Sequence, residues 1–243
     1  MSGTIIITGA SQGIGKATAE TFLADGWTVG YLARRADVLE EITANNPRAI
    51  PLPADVTDEA AVSKQFDAFV KQTGRLDALF NNAGMFGPPT TIDNIKLNEW
   101  MEVVNLNMTG MFLAARAAFK QMRNQDPRGG RIINNGSISA HVPRETSLCY
   151  TTTKHAVTGM TRTLSLDGRP LDIACGQIDI GNAMTEMVEV TNQRLIDEGK
   201  EPNPVMDVRH AAETVLHMAN LPLNANVQFV TVMATKMPYI GRG

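Results

Sequence analysis

The stretch YTTTK at residues 150–154 places a phenol and an ammonium group four residues apart. Three consecutive threonines favour a strand, because β-branched side chains fit a pleated surface. The residues that follow predict a helix instead, since Val157, Met160 and Leu164 recur at helical spacing. In a helix, Tyr150 and Lys154 lie on one face, one turn apart. The pair is therefore either a surface coincidence or a phenol placed beside a cation for acid–base chemistry.

A glycine-rich turn, TGASQGIG, occupies residues 8–15. It follows a strand-like run and precedes a helical pattern, which is the context of a dinucleotide-binding turn. In that role Gly9 permits the tight turn, Gly13 lets the backbone approach a pyrophosphate, and Gly15 lets the helix pack on the strand. The first N–H groups of the helix then point at the phosphates. The alternative is a tight turn with a structural role only.

Short apolar runs and longer amphipathic segments alternate along the chain. The apolar runs predict strands at Thr4–Thr8, Thr28–Ala33, Ala49–Leu52, Ala78–Asn81, Arg131–Asn134, Asp172–Ile178 and Val227–Met233. The segments between them predict helices, among them Ile14–Ala24, Glu59–Gln72, Leu97–Met122, Tyr150–Leu166 and Val208–Ala219. This alternation is typical of βαβ units, and apolar runs without a polar face suit strands buried on both sides. We therefore predict an α/β fold, a doubly wound parallel β-sheet with helices on both faces, as a single domain over residues 1–243.

The least regular region is residues 182–203, where Gly199 and Pro202 interrupt a mixed polar sequence. In a doubly wound fold, ligands bind at the carboxyl edge of the sheet, and loops there carry function. We predict that this segment is a substrate lid.

Composition narrows the classes of function. The 243 residues carry a net charge of −3, with Lys and Arg scattered, so no positive field attracts nucleic acid or an anionic membrane. No window is apolar over the length of a membrane span, and the N-terminus lacks the regions of a signal peptide. We expect a cytoplasmic protein whose partner is a small molecule.

The two cysteines, Cys149 and Cys175, are too few for a disulfide framework and indicate reduced thiols. Cys149 precedes Tyr150 and could line a site. A nucleophilic role is disfavoured, because no activating motif surrounds it. We predict no metal site.

Three motifs in one order, TGxxxGxG at 8–15, NNAG at 81–84 and YxxxK at 150–154, closely resemble those of the short-chain dehydrogenase/reductases in their single-domain form. The resemblance covers nearly the whole chain. It implies a Rossmann-like fold, hydride transfer between a nicotinamide cofactor and a carbonyl or alcohol substrate, and a homodimer or homotetramer.

The resemblance also implies which residues contact the cofactor. They are Gly9, Ser11, Gln12, Gly13, Ile14, Gly15, Arg34, Arg35, Asp55, Val56, Asn82, Ala83, Gly84, Tyr150, Lys154, Gly181, Ala183 and Thr185. Ala33 stands where NAD-selective members carry Asp, and an arginine after it can bind a 2′-phosphate, so we predict NADP(H). The alternative is a solvated arginine pair at a helix start. Gln12 argues mildly against NADP(H), because many relatives that use it carry a second basic residue there.

Four catalytic residues follow from the same resemblance. Ser137 lies thirteen residues before Tyr150, at the spacing of the family's serine, and Asn107 fits the family pattern better than Asn105. Tyr150 would exchange the proton, with its pKa brought toward working pH by Lys154 and the oxidised cofactor, and Ser137 would bind the substrate oxygen. Asn107 would hold a water that links Lys154 to solvent.

Two other classes of function remain as alternatives. One is an NADP(H)-binding regulator or scaffold with little turnover, which the complete catalytic set disfavours. The other is a hydrolase that uses Ser137 or Ser139, which the absence of a G-x-S-x-G elbow disfavours.

The chain departs from the family pattern after the sixth strand, where Ile180 replaces the usual proline before Gly181. Asp179 adds a carboxylate, which we expect to cap the turn there. Substrate contacts are predicted from His141, Val142, Pro143, Glu145, Leu148, Met184, Met187 and Val188.

Overall fold

Seven parallel strands form one sheet within residues 3–240, the part of the chain that the computed structural model describes. Residues 1–2 and 241–243 of the predicted domain lie outside the described residues. The strands are β1 (Thr4–Thr8), β2 (Thr28–Ala33), β3 (Ala49–Pro53), β4 (Ala78–Asn81), β5 (Gly130–Asn135), β6 (Ile173–Gly181) and β7 (Phe229–Met233). Their order is β3-β2-β1-β4-β5-β6-β7. The predicted doubly wound parallel sheet is confirmed.

Eight α-helices connect or flank these strands in the described residues. They are α1 (Gly13–Ala24), α2 (Ala36–Thr43), α3 (Glu59–Thr73), α4 (Leu97–Val104), α5 (Met111–Asn124), α6 (Leu148–Gly168), α7 (Glu186–Asp197) and α8 (Val208–Asn220). Helix α2 begins directly after Arg35, where the sequence indicates a helix start, whereas α7 was not predicted as a helix. Helix α7 lies inside the predicted lid segment, so that region is more regular than expected.

The sheet is buried on both faces, which explains why its strands show no polar face. Ile5 and Ile7 belong to the apolar core on the side of α1, α2 and α8, whereas Ile6 belongs to the core on the side of α3 and α5. All three side chains are fully buried. Because successive side chains of a strand point to opposite faces, one apolar run supplies both cores.

The predicted helix Leu97–Met122 is interrupted. Between α4 and α5, residues Asn105–Gly110 form a π-helical segment. Such segments insert extra residues into a helix and recur at functional sites. Within it, Asn107 is fully buried and Asn105 is exposed, so the π-helical segment turns Asn107 towards the interior.

Strand β6 extends three residues beyond its predicted end and includes Asp179, Ile180 and Gly181, which pair in register with β7. After this strand, the Met184 N–H donates to the Met206 carbonyl at 2.8 Å, and the Met206 N–H donates to the Asn182 carbonyl at 3.0 Å. These two hydrogen bonds join the start of the predicted lid segment to Met206, which lies three residues beyond its end.

The close contact between α1 and β1 generates a prediction about Gly15. A Cβ there would overlap the Gly9 carbonyl and the Asn82 amide, so Gly15→Ala must displace backbone. We expect the free energy of unfolding to fall by about 1–3 kcal/mol in urea titrations. The control is Gly159→Ala in α6, where a Cβ meets nothing within 4 Å. It should raise stability by up to about 1 kcal/mol. Equal stability of the two variants would contradict the predicted close packing.

Candidate active site

A cavity of about 420 Å³ lies at the carboxyl edge of the sheet, where the loops after the central strands meet the predicted lid segment. Of the residues predicted to bind the cofactor, Gly15 lies buried beneath the turn instead of on the cavity wall. The others line it: Gly9, Ser11, Gln12, Gly13, Ile14, Arg34, Arg35, Asp55, Val56, Asn82, Ala83, Gly84, Tyr150, Lys154, Gly181, Ala183 and Thr185. Ser137 lines the cavity as well.

The turn before α1 has the geometry of a phosphate site. Gly13 has a φ of +53°, in the left-handed region that favours glycine. The N-cap residue Gln12 makes no capping hydrogen bond with its side chain, and the first turn of α1 holds no acidic residue. The first N–H groups of this helix are therefore available to an anion. The residues here fit the diphosphate of a dinucleotide.

Two exposed arginines lie at the end of β2. The Arg35 guanidinium donates to Gln12 Oε1 at 3.0 Å and to Ser11 Oγ at 3.4 Å. Gln12 stands where many relatives that use NADP(H) carry a second basic residue. Its side chain nevertheless orients Arg35 towards the glycine turn. Arg34 lies on the same cavity wall. This end of the cavity therefore presents two cations.

Asp55 is the carboxylate at this end of the cavity. Burial alone would raise its pKa, but hydrogen bonds from the Thr57 N–H and hydroxyl, and the charge of Arg34, outweigh burial and lower it. The two Thr57 groups donate to Asp55 Oδ1 at 2.9 and 2.7 Å. Asp55 is thus an ionised acceptor held in a fixed orientation.

The NNAG segment is attached to β1 and β5. The N–H groups of Asn82 and Ala83 both donate to the Thr8 hydroxyl, at 2.8 and 3.0 Å. Asn135 Nδ2 donates to Asn82 Oδ1 at 2.8 Å. The loop after β4 is therefore fixed by side chains from both neighbouring strands. This loop lines the middle of the cavity.

Tyr150 and Lys154 lie one turn apart near the start of α6, as the helical reading of YTTTK predicted. Lys154 is buried, and its ammonium donates to the Asn135 carbonyl at 2.6 Å. The ammonium nitrogen is 5.4 Å from the centre of the Tyr150 ring. Burial lowers the pKa of Lys154 to about 8, against the charge of Asp179, which raises it.

Ser137 is buried, and a hydrogen bond from its side chain favours the ionised phenol of Tyr150. The lowering expected from the sequence depends on the oxidised cofactor as well as on Lys154, and the groups of the chain by themselves act in the opposite direction. Burial raises the pKa of Tyr150, and neither the Ser137 bond nor the charge of Arg144 reverses this. The phenol is therefore protonated at neutral pH, which is the form a proton donor needs.

Asn107 lies behind the cavity wall and does not line it. Its Oδ1 accepts from the Met85 N–H at 2.9 Å, while its Nδ2 donates to the Met85 carbonyl at 2.9 Å and to the Thr153 hydroxyl at 3.1 Å. The amide therefore ties the loop after β4 to α6, beside Lys154. Both amide hydrogens are used, so a water held by this side chain would have to donate to Oδ1.

Asp179 has a different position from the one predicted. It lies within β6, and its buried carboxylate holds the turn after β5 instead of the turn after β6. Oδ1 accepts from the Ser137 N–H at 2.8 Å and from Gln177 Nε2 at 2.7 Å. Oδ2 lies 2.8 Å from Nε2 of His141. The carboxylate thus fixes the backbone of Ser137 from beneath.

The residues that line the substrate end of the cavity differ from the eight residues predicted to contact the substrate. Of that set, Val188 lines the cavity, and the side chain of Met187 lies outside the described part of the structure. The cavity is also lined by Met85, Phe86 and Arg144, which the sequence reasoning missed. Met85 and Phe86 directly follow the NNAG motif, and that position was the available signal.

Both cysteines are free and buried. Burial raises the pKa of Cys149, and it raises the pKa of Cys175 to about 12. Neither thiol is activated as a nucleophile. Within residues 3–240, no cluster of His, Cys, Asp or Glu could hold a metal ion. No helix in that range is long and apolar enough to cross a membrane.

The order of the strands reverses between β1 and β4, which opens a crevice at the carboxyl edge. Doubly wound folds bind dinucleotides at this switch point, and the cavity begins there, between the loops after β1 and β4. The fold and the site together define a dinucleotide-binding α/β protein.

Comparison with known proteins identifies the family. A family model described as short chain dehydrogenase matches residues 3–195. Serine 3-dehydrogenase of Agrobacterium fabrum is 30% identical over 248 residues, covering 99% of this chain and 97% of that protein. Glucose 1-dehydrogenase 2 of Bacillus subtilis is 33% identical over 188 residues, covering 75% and 72%. The solved structure of ElxO with NADP bound is 27% identical, with a TM-score of 0.84 and coverage of 96% and 97%. The chain therefore belongs to the short-chain dehydrogenase family, as its motifs indicated.

The buried ammonium generates a prediction about stability and pH. The folded chain binds the Lys154 proton less tightly than the unfolded chain, because burial lowers this pKa to about 8. Between pH 8 and the usual lysine value of about 10.4, the unfolded state binds more protons, so the free energy of unfolding rises with pH. The rise is at most about 1.4 kcal/mol per pH unit. Below pH 8 both states are protonated and this slope vanishes.

Lys154→Met removes this contribution, so its stability relative to the wild type should fall steadily from pH 8 to pH 10 in urea titrations without added cofactor. Lys120→Met, which removes an exposed ammonium on α5, reports the effect of losing one positive charge at the surface. A difference between Lys154→Met and wild type that stays constant with pH would show that the ammonium is not destabilised by burial.

Proposed function

We propose that this chain is an NADP(H)-dependent oxidoreductase that transfers a hydride between the nicotinamide and a carbonyl or alcohol substrate. The observation that carries the proposal is the convergence of Ser137, Tyr150 and Lys154 in the cavity that begins at the glycine turn. A phenol, a hydroxyl and a buried cation beside a dinucleotide site form a proton-transfer set next to a hydride carrier. A binding protein alone would not require this set.

The bound nicotinamide supplies or accepts the hydride. During reduction, the Tyr150 hydroxyl donates its proton to the substrate oxygen, and the Ser137 hydroxyl donates a hydrogen bond to the same oxygen. Lys154 stabilises the resulting phenolate through its charge. Its hydrogen bond to the Asn135 carbonyl keeps the ammonium at the base of the site.

Asn107 and Asp179 hold these groups in position. Asn107 ties the loop after β4 to Thr153 in α6, and a water bound at its free Oδ1 lone pair is our proposed link from Lys154 to solvent. Asp179 fixes the backbone of Ser137. The segment 182–203, with α7, acts as the substrate lid, because Thr185 and Val188 line the cavity from that side.

The choice of NADP(H) rests on charge. Arg34 and Arg35 lie where the adenosine ribose is expected, and Ala33 leaves no carboxylate at the end of β2 to bind the ribose hydroxyls of NAD. Guanidinium groups bind phosphate through paired, charge-assisted hydrogen bonds. The similarity to ElxO, whose structure contains NADP, supports the same choice.

We also propose that the chain forms a homodimer or homotetramer. Ala114 and Ala118 of α5 are fully buried in the core, so these small residues pack inside the chain and not on another subunit. Helices α5 and α6 also carry exposed apolar side chains, Phe112 on α5 and Leu166 on α6. Such exposed apolar groups suit an interface with another subunit. A monomeric mass in analytical ultracentrifugation would refute this assembly.

Tyr150→Phe tests the proposed chemistry. We expect carbonyl reduction by NADPH to slow by about 10²- to 10⁴-fold, because the phenyl ring has no proton to donate. Binding of NADPH, measured by fluorescence titration, should stay within a few fold of wild type, and Tyr31→Phe, buried in β2 outside the cavity, is the matched control. Reduction at the wild-type rate would refute the role of Tyr150. NADPH binding without turnover on any carbonyl in the wild type would favour the regulator.

Arg34→Gln and Arg35→Gln test the choice of cofactor. Each should raise the Kd for NADPH by about 10- to 100-fold, since a hydrogen bond to a charged group contributes about 1.5–3 kcal/mol. The Kd for NADH should not change, because NADH lacks the 2′-phosphate. Arg48→Gln, an exposed arginine before β3, is the matched control. Equal losses for both cofactors would contradict a 2′-phosphate site.

A further inference from the structure

A third arginine lies at the opposite end of the cavity from Arg34 and Arg35. Arg144 belongs to the loop between β5 and α6, and it lines the cavity together with Ser137 and Tyr150. Its guanidinium carbon is 5.8 Å from the centre of the Phe86 ring. That ring lies 4.8 Å from the ring of Tyr150. One aromatic ring therefore separates the cation from the proposed proton donor.

The charge of Arg144 is not balanced by any carboxylate in the described part of the chain. Within residues 3–240, no carboxylate lies within 4 Å of its guanidinium, and the adjacent Glu145 does not pair with it. Some exposed arginines pair, as Arg116 does with Glu59 at 2.6 Å, while others, such as Arg123, have no ion pair among the described residues either. Arg144 differs from both kinds because its unpaired charge lines the cavity.

The other charged groups near this end of the cavity do not form an ion pair with Arg144. Lys154 donates to the Asn135 carbonyl, and Asp179, beneath the Ser137 turn, binds His141. Glu186 lines the cavity from α7 and makes no ion pair with Arg144. The charge of Arg144 acts on Tyr150, where it opposes the rise in pKa that burial causes. The field of this guanidinium therefore reaches the reacting end of the site.

The geometry points to a short oxo acid or hydroxy acid as substrate, with its carboxylate or sulfonate bound by Arg144 and its reacting carbon beside Tyr150. This inference rests on the proposed function. A guanidinium binds either anion through two parallel hydrogen bonds. Phe86 would hold the guanidinium by stacking, as arginine does on aromatic faces. The cofactor does not compete for this cation, because its phosphates are expected at the glycine turn and beside Arg34 and Arg35.

The test uses matched pairs of substrates, each with an anionic member and a neutral member in which a methyl group removes the charge. Acetoacetate is compared with methyl acetoacetate, and acetonesulfonate with its neutral methyl sulfone. For each pair, kcat and KM with NADPH are measured in the wild type, Arg144→Gln, Arg144→Lys and the control Arg123→Gln, an exposed arginine on α5. In parallel, NMR titration gives the Kd of propanoate and of ethanesulfonate for the protein in the presence of NADP+.

We expect the wild type to favour the anionic member of at least one pair by about 10-fold or more in kcat/KM. Arg144→Gln should remove this preference, mainly by raising KM about 10- to 100-fold for the anion, whereas any loss for the neutral member, through the effect of Arg144 on Tyr150, should be smaller and should fall on kcat. Arg144→Lys should keep part of the preference, and Arg123→Gln should keep all of it. The pair that shows the effect identifies carboxylate or sulfonate as the anion.

Equal kcat/KM for charged and neutral members in the wild type would overturn the inference, and so would a parallel loss for both members in Arg144→Gln. If no member of any pair is reduced, the inference about a short oxo acid is overturned, the proposed function is then judged by turnover on other carbonyls, and the anion titration judges Arg144 separately. A Kd for propanoate and ethanesulfonate that is the same in wild type and Arg144→Gln would overturn the anion site.

Discussion

All seven strands of the sheet run in one direction, and this constraint determines where chemistry can occur. Parallel strands need helical crossovers, and because the crossovers cover both faces, most side chains of the strands are apolar. Polar groups collect at the carboxyl edge, where each strand passes into a loop. Ser137 follows β5 there, Arg34 follows β2, and Asp55 follows β3. The cavity is a consequence of this shared edge, and each of its two ends carries arginine cations supplied by a different loop.

Two buried charges hold the reacting end of the cavity together. The Lys154 ammonium and the Asp179 carboxylate are almost completely removed from solvent. A buried charge is tolerated when hydrogen bonds and opposite charge compensate its desolvation. Lys154 donates a hydrogen bond to the last residue of β5, and Asp179 accepts one from the turn that follows. Both charges therefore stabilise the same segment around Ser137. Together they fix the turn that contains Ser137 against α6, and Tyr150 lies near the start of that helix.

Much of this arrangement could be predicted from the sequence, for identifiable reasons. The strands were readable because burial on both faces leaves uninterrupted apolar runs, and the positions of the motif residues were readable because their spacing is specific. The π-helical segment around Asn107, the helix α7 and the extension of β6 through Asp179 were not readable. Each depends on tertiary contacts, such as the Asn107 amide binding Met85, which leave no periodic signal. Arg144 was missed because nothing in its local sequence marks a side chain that enters a cavity.

We propose that the substrate lies between the bound nicotinamide and the Ser137–Tyr150 pair, and a crystal structure of the chain with NADP+ and a bound hydroxy acid would show this position. We expect the carbinol oxygen within hydrogen-bonding distance of both Tyr150 Oη and Ser137 Oγ, with the 2′-phosphate against Arg34 or Arg35 and the acid group against Arg144. A nicotinamide ring bound away from Tyr150, or a substrate oxygen beyond the reach of its hydroxyl, would show that the proposed arrangement is wrong.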